Sequence, residues 1–189
     1  MKLTIPTMLT LFRIALIPVL VWVFYWDNRW ANVLATVVFV AGAVTDILDG
    51  WIARKYQMYS AFGAFLDPVA DKLAVAIALF LIVQWHHTVP IALLSAVIVG
   101  REITISALRE WMAQMGAHGL VKVASLGKLK TIVQMTAISC LVFREPLLGL
   151  NIFLIGEWLL GVAAALTLWS GADYLRAAWP EMQKDFPRG

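Results

Sequence analysis

The chain has 189 residues, 61% of them apolar, with a mean hydropathy of +0.80 and a formal net charge of +3. That apolar share lies well above an average soluble domain, which excludes an ordinary water-soluble enzyme and leaves no room for a separate soluble domain; no nucleic-acid partner is expected. The lone Cys140, inside an apolar stretch, argues against a disulfide framework and a thiolate metal site.

A helix needs about 20 apolar residues to cross a bilayer. Segments near 10–27, 31–52, 61–84, 90–112, 126–143 and 149–178 meet that need. The expected fold is an all-α integral membrane protein with six transmembrane helices, forming one catalytic domain over residues 1–189. The opening "MKLTIPTMLTLFR" contains Pro6 and Arg13, so residues 1–9 are expected to lie along the membrane surface before the first span. A cleaved signal peptide is not expected, because no small-x-small site follows and "WDNRW" is bulky.

Basic residues set the expected orientation. Lys2, Arg13, Arg54, Lys55, Lys72, Arg101, Arg109, Lys122, Lys128, Lys130, Arg176, Lys184 and Arg188 fall near one side, and only Arg29 and Arg144 near the other. The positive-inside rule then makes both termini cytoplasmic. The turns at 27–30, 85–89 and 144–148 face outward, where Trp22, Trp26, Trp30 and Trp85 form an aromatic belt. His86 and His87 sit in one of these turns as solvated residues, since adjacent side chains point apart. Arg144 is read as structural.

The stretch "DILDGWIARKYQMYSAFGAFLDPVADK" concentrates four aspartates in apolar surroundings. Asp46 and Asp49 are three apart at the end of the second span, and Asp67 and Asp71 four apart at the start of the third, so each pair shares a helix face. A short connection would make these spans antiparallel neighbours and bring both pairs together. Like charges so placed repel strongly in low dielectric, so a cation is expected among them. Oxygen-only ligands favour Mg²⁺ or Mn²⁺ over Zn²⁺, with room for two ions. Magnesium sites are commonly shared with substrate phosphates, which points to a phosphate-bearing substrate. Gly50, Ala53, Gly63 and Ala64 either permit close helix packing or leave space for a ligand. Pro68 either kinks the third helix or marks a local start.

Written as Asp46-x2-Asp49-Gly50-x2-Ala53-Arg54-x8-Gly63-x3-Asp67-x3-Asp71, the run resembles the signature of the CDP-alcohol phosphotransferases. The resemblance extends to "IPTMLTLFR", "REITISALREWM", "SLGKLKT" and "LTLWSGADYL", and is strongest to bacterial members that use glycerol 3-phosphate. Thr7 departs from it, since many relatives carry asparagine there. The resemblance implies a six-helix enzyme of the bacterial inner membrane, with its active site on the cytoplasmic side. It implies that Asp46, Asp49 and Asp67 hold two divalent ions, with Asp71 also at the metal and acting as general base. Gly50, Ala53, Arg54 and Gly63 would bind the CDP donor. It implies phosphatidyl transfer from CDP-diacylglycerol to sn-glycerol 3-phosphate, in a membrane of anionic lipid, by a homodimer. Gly161, Ala163, Ala164 and Ala165 would permit close helix contacts.

The residues themselves speak to the acceptor. Arg101, Arg109, Lys128 and Lys130 gather near the cytoplasmic ends of the fourth and fifth spans. Arg109 also fits an ordinary basic rim, but Arg101 and Lys128 lie within apolar sequence, where cations are costly unless partnered. Several cations suit an acceptor that carries its own phosphate, which favours glycerol 3-phosphate or inositol phosphate over choline, ethanolamine or serine. Thr10 and Arg13 would close the site from the N-terminal segment, with snorkelling to headgroups the other reading of Arg13. The alternatives are a family member with a different acceptor, and a divalent-cation transporter. Against the transporter, all four aspartates lie toward one face.

Overall fold

The computed structural model describes residues 4–57, 60–114 and 125–185. Within them the chain is all-helical: α1 (Ile5–Phe24), α2 (Ala31–Tyr56), α3 (Ala61–Trp85), α4 (Val89–Gln114), α5 (Ser125–Phe143) and α6 (Ile152–Asp185). Four of them, α1, α2, α4 and α6, are each long and apolar enough to cross a membrane, while the apolar part of α5 is shorter, Leu129–Phe143. α3 carries Asp67, Asp71 and Lys72 in its first half and contributes Val75, Ala78, Leu79, Leu81 and Ile82 to the shared core. The chain is a multi-pass membrane protein.

Local chemistry explains the helix ends. α1 starts from an extended Thr4 with Pro6 in its first turn, where a missing N–H costs nothing. It then runs unbroken to Phe24, so residues 5–9 belong to the same helix as the span. α2 ends with Arg54 and Lys55 in its last turn, matched to the negative end of the helix dipole, and Gln57 takes the left-handed cap at φ 53°. α3 is capped by Ser60, whose hydroxyl accepts from the Gly63 amide at 2.9 Å. The helix continues across Pro68, which has no N–H to donate to the Ala64 carbonyl one turn back.

α1 packs on α2 and α3, and α6 packs on α5 and α4, with α3 also meeting α4 and α5. α2 and α3 touch each other least of all these pairs. The spans expected to be direct neighbours are therefore joined mainly through α1. The core joins Leu20 and Phe24, Ala35 and Phe39, Leu79 and Ile82, Ile91 and Ile98, Ile138 and Leu141, and Leu160. Outward lie large apolar side chains such as Phe80, Leu93, Ile132 and Trp158, as a lipid-facing surface requires. Lipid tails offer no hydrophobic gain for helix pairing, so close packing carries it.

At the end away from the aspartates, Trp22 stacks on Trp26 at 5.6 Å, and Arg144 lies over the rings of Phe24 at 3.7 Å and Trp85 at 4.5 Å. Arg144 thereby ties together the ends of α1, α3 and α5, in keeping with a structural part. His86 turns toward Phe153 and Glu157 while His87 is exposed.

A tight small-residue contact joins α5 and α6 at Gly156, where an added Cβ would meet Leu141 Cγ at 2.8 Å and Cys140 Cβ at 3.1 Å. Nothing lies within 4 Å of a Cβ at Gly161. Gly156→Val is expected to destabilise the α5–α6 pair by about 1–3 kcal/mol and lower the melting temperature in detergent, while Gly161→Ala leaves it unchanged. Equal melting temperatures for the two variants would contradict this packing.

Candidate active site

The aspartates are organised by α1. Thr7, Thr10 and Arg13 recur every three residues, so they form one stripe along that helix, and their exposures are 2%, 0% and 2%. Thr7 Oγ1 lies 2.8 Å from Ser60 Oγ, the cap of α3. Thr10 Oγ1 hydrogen-bonds Asp67 and also lies 3.0 Å from the Pro6 carbonyl, its single proton serving one oxygen at a time. Arg13 Nη1 is 2.6 Å from Asp46 Oδ1, and Nη2 donates to Asp49 Oδ2. One helix face therefore grips Asp46, Asp49 and Asp67.

Asp49 is buried, with Arg13, Asp46 and Asp67 as its charged neighbours. Asp71 is open to the surface and has Asp46, Glu102, Arg13 and Lys72 as its own. At an effective dielectric of 20, two carboxylates 4 Å apart repel by about 4 kcal/mol, so the single guanidinium leaves excess negative charge. Chemically, four carboxylates of this kind suit a hard divalent cation. Yet among the described residues, no three His, Cys, Asp or Glu side chains stand close enough together to hold a metal ion as they are. The expected convergence is electrostatic rather than at coordination distance. The reason is visible: Arg13 and Thr10 engage oxygens of Asp46, Asp49 and Asp67.

The residues expected at the donor fall in two groups. Gly50 and Ala53 are half-buried on α2, and the exposed Arg54 folds back so that a Cβ on Gly50 would lie 3.4 Å from its Nη1. Gly63 is buried elsewhere, beneath the Thr7–Ser60 hydrogen bond, where a Cβ would meet Thr7 Oγ1 at 2.8 Å and Ser60 Oγ at 2.9 Å. Its requirement for glycine comes from that crossing of α1 and α3.

The basic residues are dispersed over two interfaces. Arg101 donates to Ser170 Oγ at 2.8 Å and packs along Gly171, and Arg109 donates to Tyr174 at 3.1 Å while lying over its ring; both clip α4 to α6. Lys130 is 7% exposed and held by Glu102 at 3.1 Å, an oxygen that also accepts from Gln134. Its charge is largely spent inside the α4–α5 interface. Lys72 turns away from the aspartates to Ser106 on α4. The side chain of Lys128 lies outside the described residues. Gln134, Ser106, Ser170 and Tyr174 were not singled out in the sequence; the last three face a cation and Gln134 donates to the Glu102 carboxylate that holds Lys130, pairings that need the three-dimensional neighbour to be seen.

Beside Asp67 and Asp71, a cavity of about 300 Å³ opens between α3 and α4, lined by Pro68, Val69, Leu73, Ala76, Val99 and Ile103, with Lys72 and Glu102 at its polar edge. Its lining is mostly apolar, and Val69, Leu73 and Ile103 in it are exposed.

Comparison with known proteins identifies the family. Residues 3–169 match the family of CDP-alcohol phosphatidyltransferases. The chain is 48% identical over 178 residues to the CDP-diacylglycerol--glycerol-3-phosphate 3-phosphatidyltransferase of Pectobacterium atrosepticum, covering 94% of this chain and 96% of that one. Proteins of the same name from Yersinia enterocolitica (47% over 182 residues, 96% and 98% covered) and Salmonella choleraesuis (48% over 180 residues, 94% and 96% covered) are equally similar. With the aspartate signature on α2 and α3 and a match over nearly its whole length, the chain belongs to the CDP-alcohol phosphatidyltransferase family.

Proposed function

We propose that the protein transfers a phosphatidyl group from CDP-diacylglycerol to sn-glycerol 3-phosphate, giving phosphatidylglycerophosphate and CMP in anionic phospholipid synthesis. The observation that carries this reading is the gathering of Asp46, Asp49, Asp67 and Asp71 around Arg13 and beside a largely apolar cavity. The relatives named for this reaction match the chain almost end to end. Both termini and the site would be cytoplasmic in the inner membrane, by the distribution of basic residues.

In this reading Asp46, Asp49 and Asp67 would hold one or two Mg²⁺ or Mn²⁺ ions, with Asp71 at their edge. When bound, such ions polarise the donor diphosphate and stabilise charge on its oxygens. The acceptor hydroxyl oxygen bonds to the phosphorus that bears diacylglycerol, the P–O bond to CMP breaks, and CMP leaves with the electron pair. Asp71 takes the hydroxyl proton, a role suited to the one signature aspartate that is open to the surface and has no ion pair among those described. Gly50, Ala53 and Arg54 line the nucleotide side. The acyl chains reach the site sideways through the α3–α4 cavity, while the acceptor arrives from the cytosol.

The acceptor's phosphate falls chiefly to Arg101 and Arg109, assisted by Lys128, because Glu102 neutralises Lys130. Ser170 and Tyr174 hold the two guanidinium groups in place. A homodimer is part of the same reading. Ala163 and Ala164 are buried within the protomer, so a contact through this stretch of α6 would use Gly161, Val162 and Ala165 instead.

The direct test is CMP release by purified protein in detergent with CDP-diacylglycerol and Mg²⁺, comparing glycerol 3-phosphate, inositol phosphate, serine and no acceptor. Release with glycerol 3-phosphate alone, abolished by a chelator, is expected. Release with a different alcohol would overturn the acceptor, and no release with any would favour the cation-transporter alternative. Asp71→Asn is expected to lower kcat by about 10²-fold or more while donor binding stays within a few-fold. An equal loss of donor affinity in Asp71→Asn and Asp46→Asn would remove the general-base role.

A further inference from the structure

Arg13 is a charge placed where a bilayer protein should not keep one without cause. It projects from the apolar helix α1, is 2% exposed, and its stem passes Gly42, where a Cβ would lie 3.8 Å from Arg13 Cγ. Gly42 is one turn before Asp46 on α2, so the guanidinium is delivered along that face to the acidic pair. There its two terminal nitrogens divide between two carboxylates, Nη1 to Asp46 and Nη2 to Asp49. A planar fork can span residues three apart on a helix; the point charge of a lysine cannot.

Other cations nearby are directed elsewhere. Lys55 lies over the Trp51 ring at 4.4 Å, Lys72 bonds Ser106, and Arg54 folds over Gly50. Among the described residues, Arg13 is the cation paired with Asp46 and Asp49. It is also incompletely satisfied, since Nε and Nη1 are buried without a well-aligned hydrogen-bond acceptor. The guanidinium is thus held by charge rather than by a full set of hydrogen bonds, beside a crevice of about 20 Å³ that it shares with Asp46 and Asp71.

We propose that Arg13 is a resident counter-cation and positioning residue: it fixes the orientation of Asp46 and Asp49 and, by sharing their oxygens, lowers the affinity of the site for a free divalent cation. The inference rests on the reading that these aspartates bind a divalent ion. Two consequences oppose each other when Arg13 is removed. The carboxylates lose their fixed orientation, which weakens ion binding, and a positive neighbour of the ion disappears, which strengthens it. Repulsion between a guanidinium and a divalent ion a few ångströms apart outweighs the ordering of two short side chains, so the net effect is tighter binding. Weak binding of the free ion suits a site in which the donor diphosphate supplies the remaining ligands.

The test measures Mn²⁺ binding by the electron paramagnetic resonance of free Mn²⁺, on purified protein without donor or acceptor, for wild type, Arg13→Gln and Arg13→Lys. Thermal unfolding is followed with and without Mg²⁺. Arg13→Gln is expected to bind Mn²⁺ about ten-fold more tightly or better, to melt lower than wild type in EDTA, and to gain more from Mg²⁺. Arg13→Lys keeps the charge and is expected to bind within about three-fold of wild type while losing turnover, because the fork is gone. Unchanged or weaker Mn²⁺ binding by Arg13→Gln would overturn the proposal, as would its failure to fold in buffers containing Mg²⁺ throughout. Wild type binding no Mn²⁺ even with donor present would instead overturn the metal reading itself, and this inference with it.

Discussion

Two pairs of carboxylates have to be held together in a medium that penalises charge, and the structure solves this with a third helix. Direct contact between α2 and α3 is slight. α1 lies against both and presents Thr7, Thr10 and Arg13 to Ser60, Asp67, Asp46 and Asp49 in turn. A buried cation and buried carboxylates are each unfavourable alone and tolerable only together. The register of α1 is therefore fixed at three successive points, and it holds Asp46, Asp49 and Asp67 in place. Gly63 belongs to the same device, since a larger residue would strike the Thr7–Ser60 crossing.

The second half of the molecule repeats the principle with opposite sign. α4 carries Arg101 and Arg109 to α6 and Glu102 to Lys130 and Gln134 on α5. Arg101, Glu102, Arg109, Lys130 and Gln134 each find a partner on a neighbouring helix, which supplies specificity that lipid-solvated packing lacks. Between the acidic and basic halves, α3 and α4 diverge enough to leave the cavity beside Pro68 and Lys72. A lipid substrate and a water-soluble one need access from different phases. A lateral opening next to the carboxylates serves both.

Much of this was legible in the sequence, and the parts that were not share a cause. Hydropathy runs marked the helices, and the spacing of Asp46, Asp49, Asp67 and Asp71 marked the site, because both signals are local. The pattern of relatives then named the chemistry. What the spacing could not supply was which helix lies between the aspartates. A short connection suggested that α2 and α3 pack directly, whereas α1 mediates. The stripe of Thr7, Thr10 and Arg13 was present as a three-residue rhythm, but its meaning depends on contacts more than thirty residues away. Lys130 illustrates the same limit. As a basic residue near the site it fitted a phosphate contact, and only the fold reveals Glu102 against it. The start of α1 at Ile5 follows from Pro6 favouring a first turn.

The central claim is that α1 and α2 are locked to each other through Arg13 and the acidic pair. A double-mutant cycle on thermal unfolding in detergent, with Arg13→Gln, Asp49→Asn and both together in EDTA, measures that lock directly. The expected result is a coupling of about 0.5–3 kcal/mol, with the double variant no less stable than the weaker single one. Additive losses would mean that the two side chains act independently and that something other than this ion pair sets the register of α1.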